Sequence, residues 1–251
     1  MKIFSSAVRL CFILALTSVS CMRSEPLYVN TFSEDGVVPT KSGWAYWFIP
    51  SGSVADTLSL KVSYVENGPA LHGAHSHMHD EIFIALEGDV IVSLNGEETV
   101  LHPGDGMYAP SGSFHGIRRY DVNCPVKYFV INREVPGGVP SPYQFWKKDY
   151  TMADCHTVAV PGTFPYVTEE MSCGSLEIRS VRSGDRCALS GDGWQNVIVV
   201  TEGGAVVETR GRRTLVPAFS ACYVPKGTDC IVKPSTKGGE TAYLLVRTKV
   251  R

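Results

Sequence analysis

The sequence predicts an all-β protein built from two copies of one unit. Beyond residue 20, short apolar runs rich in β-branched and aromatic residues alternate with turns rich in Gly, Pro, Asn and Asp, as in WAYWFIP, EIFIALEG and NVIVVTEG. Runs of this length and composition are typical of strands and not of helices. A shift of the chain against itself by 115 positions indicates the duplication, because residues 82–115 then align with 197–230 without a gap.

The aligned copies share residues that turns require. Eight of the 34 positions are identical, among them Gly88 with Gly203 and Gly112 with Gly227. Turn residues meet backbone requirements that few other residues can meet, so we interpret the alignment as two copies of one unit, the second degenerate. A run rich in Pro and Gly, VPGGVPSP, lies between the copies. We expect domains at 21–135 and 150–251, joined by a linker at 136–149.

The N-terminus has the pattern of a secretory signal peptide, residues 1–20. Lys2 and Arg9 precede an apolar run, and small residues precede Cys21. The run is too short to span a bilayer, and no later run is long enough. Cleavage after Ser20 would expose Cys21, which resembles the acceptor of bacterial lipoproteins. The sequence leaves lipid anchoring and plain secretion open, and either predicts a secreted, periplasmic or cell-surface protein.

The net charge indicates the kind of binding partner, and the cysteine content indicates the compartment. The net charge of −2 gives no sustained field for nucleic acid or anionic lipid, so we expect a small-molecule partner. Six cysteines follow Cys21, which suits an oxidising compartment. Cys222 and Cys230 flank the turn VPKG symmetrically, and this placement predicts a cross-strand disulfide.

Histidines concentrate at one place in the first copy. Four of the seven in the chain fall within residues 72–81, in the run HGAHSHMHDE. Because side chains on a strand alternate between faces, His75, His77 and Glu81 project to one side. His115 follows a Pro-x-Gly turn further along the unit. Three imidazoles and a carboxylate suit Mn, Fe, Co, Ni, Cu or Zn and exclude an all-oxygen calcium site, so one divalent transition metal ion is predicted.

Two motifs carry a resemblance to a known family. The run His75-x-His77-x3-Glu81-x6-Gly88 resembles the first motif of the cupin superfamily, and Gly104-x5-Pro110-x-Gly112-x2-His115 resembles the second. The leading glycine is displaced by one residue, to Gly68, and Arg119 stands where the family often has Asn.

The resemblance implies a fold and a metal site. It implies two tandem cupin barrels (double-stranded β-helix, or jelly roll), with His75, His77, Glu81 and His115 as metal ligands in the first. It also implies Mn or Fe as the favoured ions and a homodimer as the usual assembly. The shift of 115 places Ser190, Asp192, Asn196 and Cys230 at the ligand positions of the second copy, which is therefore predicted to have lost the metal.

The sequence does not decide between three functional classes. The first hypothesis is a metal-dependent dioxygenase, decarboxylase or lyase acting on a small oxygenated organic acid or phenol. The alternatives are a hydrolase similar to ureidoglycine aminohydrolase and a non-catalytic ligand- or sugar-binding cupin. As substrate-binding residues we expect Arg119, which could clamp a carboxylate or form a structural ion pair, with Tyr108 and Phe83 in the apolar wall. Sequence alone names no catalytic residue besides the ligands.

Overall fold

The computed structural model describes residues 27–55, 57–68, 72–134, 163–169, 171–172 and 175–249. The predicted signal peptide, Cys21 and the linker lie outside these residues. Apart from a short 3-10 turn at Glu34–Gly36, the regular structure in the described ranges is all β, as predicted. No helix in this part of the chain has the length and apolarity to span a bilayer.

The first barrel consists of a six-stranded and a four-stranded antiparallel sheet that face each other. The six-stranded sheet has the order β2-β3-β4-β11-β6-β9, and the four-stranded sheet has the order β5-β10-β7-β8. Their strands are β2 (Val38–Thr40), β3 (Gly43–Ile49), β4 (Leu58–Val65), β5 (His72–His75), β6 (His79–Glu87), β7 (Val90–Leu94), β8 (Glu97–Leu101), β9 (Gly106–Ala109), β10 (His115–Arg119) and β11 (Val126–Glu134). Phe83, Met107 and Val130 from one sheet pack with Val92 and Ile117 from the other in the barrel core.

The second barrel repeats this plan. Its six-stranded sheet has the order β1-β18-β15-β20-β13-β12, and its four-stranded sheet has the order β14-β19-β16-β17. The strands are β1 (Tyr28–Thr31), β12 (Thr163–Val167), β13 (Leu176–Ser183), β14 (Cys187–Leu189), β15 (Trp194–Glu202), β16 (Gly204–Thr209), β17 (Arg212–Pro217), β18 (Ser220–Val224), β19 (Cys230–Pro234) and β20 (Thr241–Lys249). The strand β1, which precedes the first barrel in the sequence, pairs with β18 of the second.

The shift of 115 residues holds at the level of strand register. Glu81 is paired with Ala109, and 115 residues later Asn196 is paired with Val224. The turn glycines also keep their backbone conformation. Gly88 has a φ of 68° and its equivalent Gly203 a φ of 70°, both in the left-handed region that favours glycine. The duplication seen in the sequence is therefore a duplication of the fold.

The two six-stranded sheets pack against each other and bury a core shared by both barrels. This shared core includes Leu60, Ile82 and Ile131 from the first sheet and Val197 and Val246 from the second. One face of β6 lines the barrel core and the other lines the shared core, so the strand is buried on both faces. Its central part therefore appears in the sequence as the continuous apolar run IFIAL, residues 82–86.

The predicted disulfide is absent. Cys222 and Cys230 are free thiols in the core of the second barrel. The prediction assumed that they face each other across a hairpin, but β18 and β19 belong to different sheets, so the VPKG turn connects the two sheets and closes no hairpin. Burial raises the pKa of each thiol to about 12.

Candidate metal centre

The four residues predicted as ligands come together inside the first barrel. His75 and His115 are direct partners where β5 pairs with β10, and Glu81 projects toward them from β6 in the opposite sheet. His77 lies in the short connection between β5 and β6. One ligand atom from each of the four residues lies within 4.8 Å of the others.

Backbone contacts orient the imidazole rings. Nδ1 of His75 lies 3.0 Å from the carbonyl oxygen of Gly73, and Nδ1 of His115 lies 2.9 Å from that of Ser113. A carbonyl oxygen beside Nδ1 accepts its proton, so Nε2 faces the cluster, where it donates to a carboxylate when protonated and could coordinate a metal ion when not. Nδ1 of His77 lies 3.1 Å from the carbonyl oxygen of His79 and also accepts a hydrogen bond from the backbone N–H of His79 at 3.3 Å. The three rings therefore direct Nε2 into the cluster.

The Glu81 carboxylate lies at the centre of the cluster. Its Oε2 is 2.8 Å from Nε2 of His115 and 3.3 Å from Nε2 of His77. Burial by itself raises the pKa of the Glu81 carboxyl, but the hydrogen bonds and charges of His115 and His77 outweigh it and lower the pKa below its ordinary value. The carboxylate is thus ionised and ready to act as a ligand.

The donor set fits a divalent transition metal ion. Three imidazole nitrogens and one carboxylate oxygen form a borderline set, and four protein ligands leave one or two coordination positions open. Exposure changes across the cluster, since the His115 side chain is fully buried whereas 24% of the His77 side chain is exposed. Solvent and small molecules therefore reach the centre from the side of His77 and His75.

Of the two predicted apolar wall residues, only Phe83 lines the site. Its ring centroid lies 6.2 Å from that of His115, within the core of the first barrel. Tyr108 is buried in the shared core between the barrels, so its prediction as a substrate contact was wrong. It pairs directly with Ile82, and both side chains project to the face of the sheet opposite Phe83.

Arg119 does not lie at the cluster either. It ends β10, four residues from His115, so the two α-carbons are about 13 Å apart along an extended strand. Its guanidinium is buried and donates hydrogen bonds to the carbonyl oxygens of Gly68, Glu66 and Cys124. Arg119 thus holds two loops together by binding backbone carbonyl oxygens. This role differs from both roles expected from the sequence, a substrate clamp and a structural ion pair.

A lysine that the sequence motifs do not indicate lies on the inner face of this barrel. Lys61 lies in β4 with Ser59 and Ser63 on its own face, and its Nζ lies 4.9 Å from the ring centroid of Trp47. The strict alternation of apolar and polar residues in LSLKVSYV carried a signal for it. Such alternation is typical of a strand with one solvent-exposed face, whereas here the polar face of β4 lines the barrel.

In the second barrel, an arginine stands beside the position of the lost metal site. Asn196 is the equivalent of Glu81, and Arg247, its partner on β20, is the equivalent of Asn132. The guanidinium of Arg247 donates to Asn196 Oδ1 at 2.9 Å, to Glu177 Oε2 at 2.9 Å and to the carbonyl oxygen of Ser190 at 3.0 Å. The positive charge of Arg247 thus lies beside the position in the second barrel that is equivalent to Glu81 of the four-residue cluster.

Comparison with known proteins supports the architecture. The family model of the cupin domain matches residues 62–132. Among solved structures, the chain is similar to the nickel(II) complex of the bacterial pirin YhhW from Escherichia coli, with 13% identity, a TM-score of 0.66 and coverage of 90% of this chain and 100% of that one. It is also similar to the formate complex of oxalate decarboxylase from Lactobacillus farciminis, with 12% identity, a TM-score of 0.64 and coverage of 90% and 86%.

A third similar structure is the protein Ylba from Escherichia coli, with 11% identity, a TM-score of 0.62 and coverage of 88% of both chains. No curated protein matches the sequence. At identities this low, the structural likeness establishes the fold alone.

Proposed function

We propose that this chain of two tandem barrels, whose residues 62–132 match the cupin domain model, is a metal-dependent cupin enzyme acting at the four-residue cluster of the first barrel. The reaction class is a dioxygenase, decarboxylase or lyase, and the substrate is a small oxygenated organic acid or phenol. The observation that carries the proposal is the convergence of His75, His77, Glu81 and His115 at a site open to solvent on one side. A purely structural barrel has no need of four converging ligands with open positions beside them.

The residues of the site have separate tasks. Nε2 of each histidine and the Glu81 carboxylate would hold the ion, because the backbone carbonyls beside Nδ1 fix the rings in that orientation. Phe83 and Met107 provide an apolar floor that excludes water from the buried side. When bound, a divalent ion supplies a Lewis acid and a template for substrate oxygen atoms.

The likeness to known structures is consistent with this proposal. One similar protein is a nickel complex, and another is a decarboxylase in complex with formate. For this chain we propose Mn or Fe as the ion, one per chain, since the described part of the second barrel has Arg247 and Asn196 where the first barrel has its cluster. Secretion or lipid anchoring through Cys21 and a homodimeric assembly are part of the same proposal.

Dioxygen uptake and substrate loss test the proposed activity. The purified chain without the predicted signal peptide, loaded with Mn or Fe, is mixed with a panel of small carboxylates and phenols beside a His77→Ala control. Uptake of dioxygen identifies a dioxygenase, and substrate loss without uptake identifies a non-oxidative decarboxylase, lyase or hydrolase. Binding without turnover across the panel would contradict the enzyme proposal and leave a ligand-binding cupin.

A further inference from the structure

Four equivalent positions line the same end of both barrels. In the first barrel they form two directly paired couples on β6 and β11, Glu81 with Asn132 and His79 with Glu134. A shift of 115 residues gives the same pairing on β15 and β20 of the second barrel, Asn196 with Arg247 and Trp194 with Lys249. These positions share a strand face with Phe83 or Ile198, which lie in the barrel cores. We call the second set of four residues the mouth wall of the second barrel.

The charge at these positions is inverted between the barrels. The first barrel has two carboxylates there, Glu81 and Glu134, and no permanent cation, whereas the mouth wall of the second barrel has Arg247 and Lys249 and no carboxylate. The guanidinium carbon of Arg247 lies 4.6 Å and Nζ of Lys249 lies 4.7 Å from the ring centroid of Trp194, so both cations lie against one indole. Where the first barrel is suited to a cation, the second is therefore suited to an anion.

Neighbouring carboxylates neutralise the mouth wall only in part. Glu177 is shared between two arginines, because its Oε2 lies 2.9 Å from Arg247 and its Oε1 lies 3.2 Å from Arg179. The contact of Lys249 with Glu169, at 3.5 Å, joins two side chains that are 43% and 51% exposed, so solvent screens it. Two guanidinium groups thus have one well-buried carboxylate between them.

Hydrogen-bond donors are also in surplus on this face of the sheet. Nδ2 of Asn196 and Nε of Arg179 are buried without a hydrogen-bond partner in the ranges that the structure describes. Asn196 is fully buried, and its amide orientation is determined because Oδ1 accepts a hydrogen bond from Arg247 at 2.9 Å. Arg179 shares the face, since it pairs directly with Leu245 of the barrel core. Buried donors are normally paired, so unpaired donors beside surplus positive charge indicate a ligand with acceptor oxygens.

We propose that the second barrel binds a small anion with acceptor oxygens, a carboxylate or an inorganic oxyanion, at the mouth wall formed by Asn196, Arg247 and Lys249. The guanidinium of Arg247 is the fixed positive charge that a metal ion would supply in the first barrel, and its planar donors match the oxygens of such an anion. Asn196 donates its free N–H, and the partly exposed Lys249 attracts the anion from solvent. The inference goes beyond the proposed function and does not depend on it, because the two sites lie in different barrels.

Tryptophan fluorescence tests this site in the full chain without its signal peptide. Glu81→Gln protein treated with a chelator, so that the first barrel holds no metal, is titrated with acetate, succinate, phosphate and sulfate at constant ionic strength set with sodium chloride. We expect saturable binding of at least one of these anions, and the series distinguishes a carboxylate from an inorganic oxyanion. Trp194→Phe should remove the fluorescence change, because Trp194 lies against both cations.

Variants of the mouth wall separate binding from folding. In the same background, Arg247→Met should weaken binding about tenfold or more, the loss expected for one charge-assisted hydrogen bond. Asn196→Asp still accepts from Arg247 but replaces the free donor by a negative charge, so it should abolish binding in a folded chain, as judged by circular dichroism. Lys249→Met should weaken binding about fivefold, in line with a partly exposed charge.

A second lysine of the same barrel provides the matched control. Lys233 lies in β19 of the four-stranded sheet and pairs with Glu208, so Lys233→Met removes the same charge away from the mouth wall and should leave the affinity unchanged. The absence of saturable binding for all four anions would overturn the proposal. Equal affinity in Asn196→Asp and its parent, or equal weakening by Lys249→Met and Lys233→Met, would overturn it as well.

Discussion

Replacement of Arg247 by Met tests the idea that a fixed cation stabilises the second barrel. The substitution keeps an apolar stem but removes three donated hydrogen bonds, one of them to the carboxylate of Glu177, whose side chain is only 15% exposed. Breaking a buried ion pair costs about 3–5 kcal/mol. Because Arg179 still contacts Glu177 at 3.2 Å, we expect the lower end of that range, about 3 kcal/mol.

Thermal unfolding followed by circular dichroism measures the effect. For a chain of this size, about 3 kcal/mol corresponds to a fall in Tm of about 6–12 °C. The control is Arg213→Met, which removes an ion pair with Glu208. Because 68% of the Arg213 side chain is exposed, losing this pair should cost less than about 1 kcal/mol. Metal binding by the first barrel should be unchanged in both variants. A fall in Tm for Arg247→Met no larger than that for Arg213→Met would refute the reasoning.

Three further predictions address the turns, the thiols and the metal ligands. Gly88→Ala should lower the free energy of unfolding by about 1–3 kcal/mol, measured by urea denaturation, because φ is 68° and the added Cβ would lie 2.6 Å from a backbone oxygen; an unchanged midpoint would contradict this. At pH 8, a thiol reagent should label the exposed Cys124 of the native protein but not Cys222 or Cys230. Burial raises the pKa of the latter two thiols to about 12, so their thiolates form only as the pH approaches that value. Equal labelling rates for the three cysteines, measured by mass mapping, would contradict this prediction. Excess Co²⁺ at a free concentration a thousand times Kd should stabilise the wild type by about 4 kcal/mol and raise its Tm by about 8–16 °C, whereas His115→Ala should show no such rise. An equal rise in both would exclude His115 as a ligand.

Local patterns in the sequence predicted the parts of the structure that depend on local rules. The spacing of the two motifs identified the four ligands, but the alternation argument assumed one strand, whereas His75 lies in β5, His77 in the connection after it and Glu81 in β6 of the opposite sheet. Turn glycines such as Gly88 require a positive φ, so they persist in both copies and reveal the duplication. Each of these features is determined within a few residues of the position concerned.

Features that depend on how sheets pack could not be predicted in this way. Alternation places Tyr108 and Phe83 on opposite faces, but it does not indicate which face meets the metal and which meets the second barrel. Cys222 and Cys230 look like a hairpin pair until the turn between them is seen to connect two sheets. Lys61 on an alternating strand suggests a solvated face, which the four-stranded sheet covers. In each case the sequence indicates which residues share a face of the strand, but not which sheet or barrel packs against that face.

Metal stoichiometry tests the central claim most directly. Inductively coupled plasma mass spectrometry on the purified chain without its signal peptide, after reconstitution with Mn, Fe or Co and removal of free ions, gives the number of ions per chain. We expect about one ion per chain in the wild type and none above background in Glu81→Gln, with the wild-type value retained in Arg247→Met. The absence of bound metal in the wild type, or an equal content in Glu81→Gln, would contradict a metal centre in the first barrel.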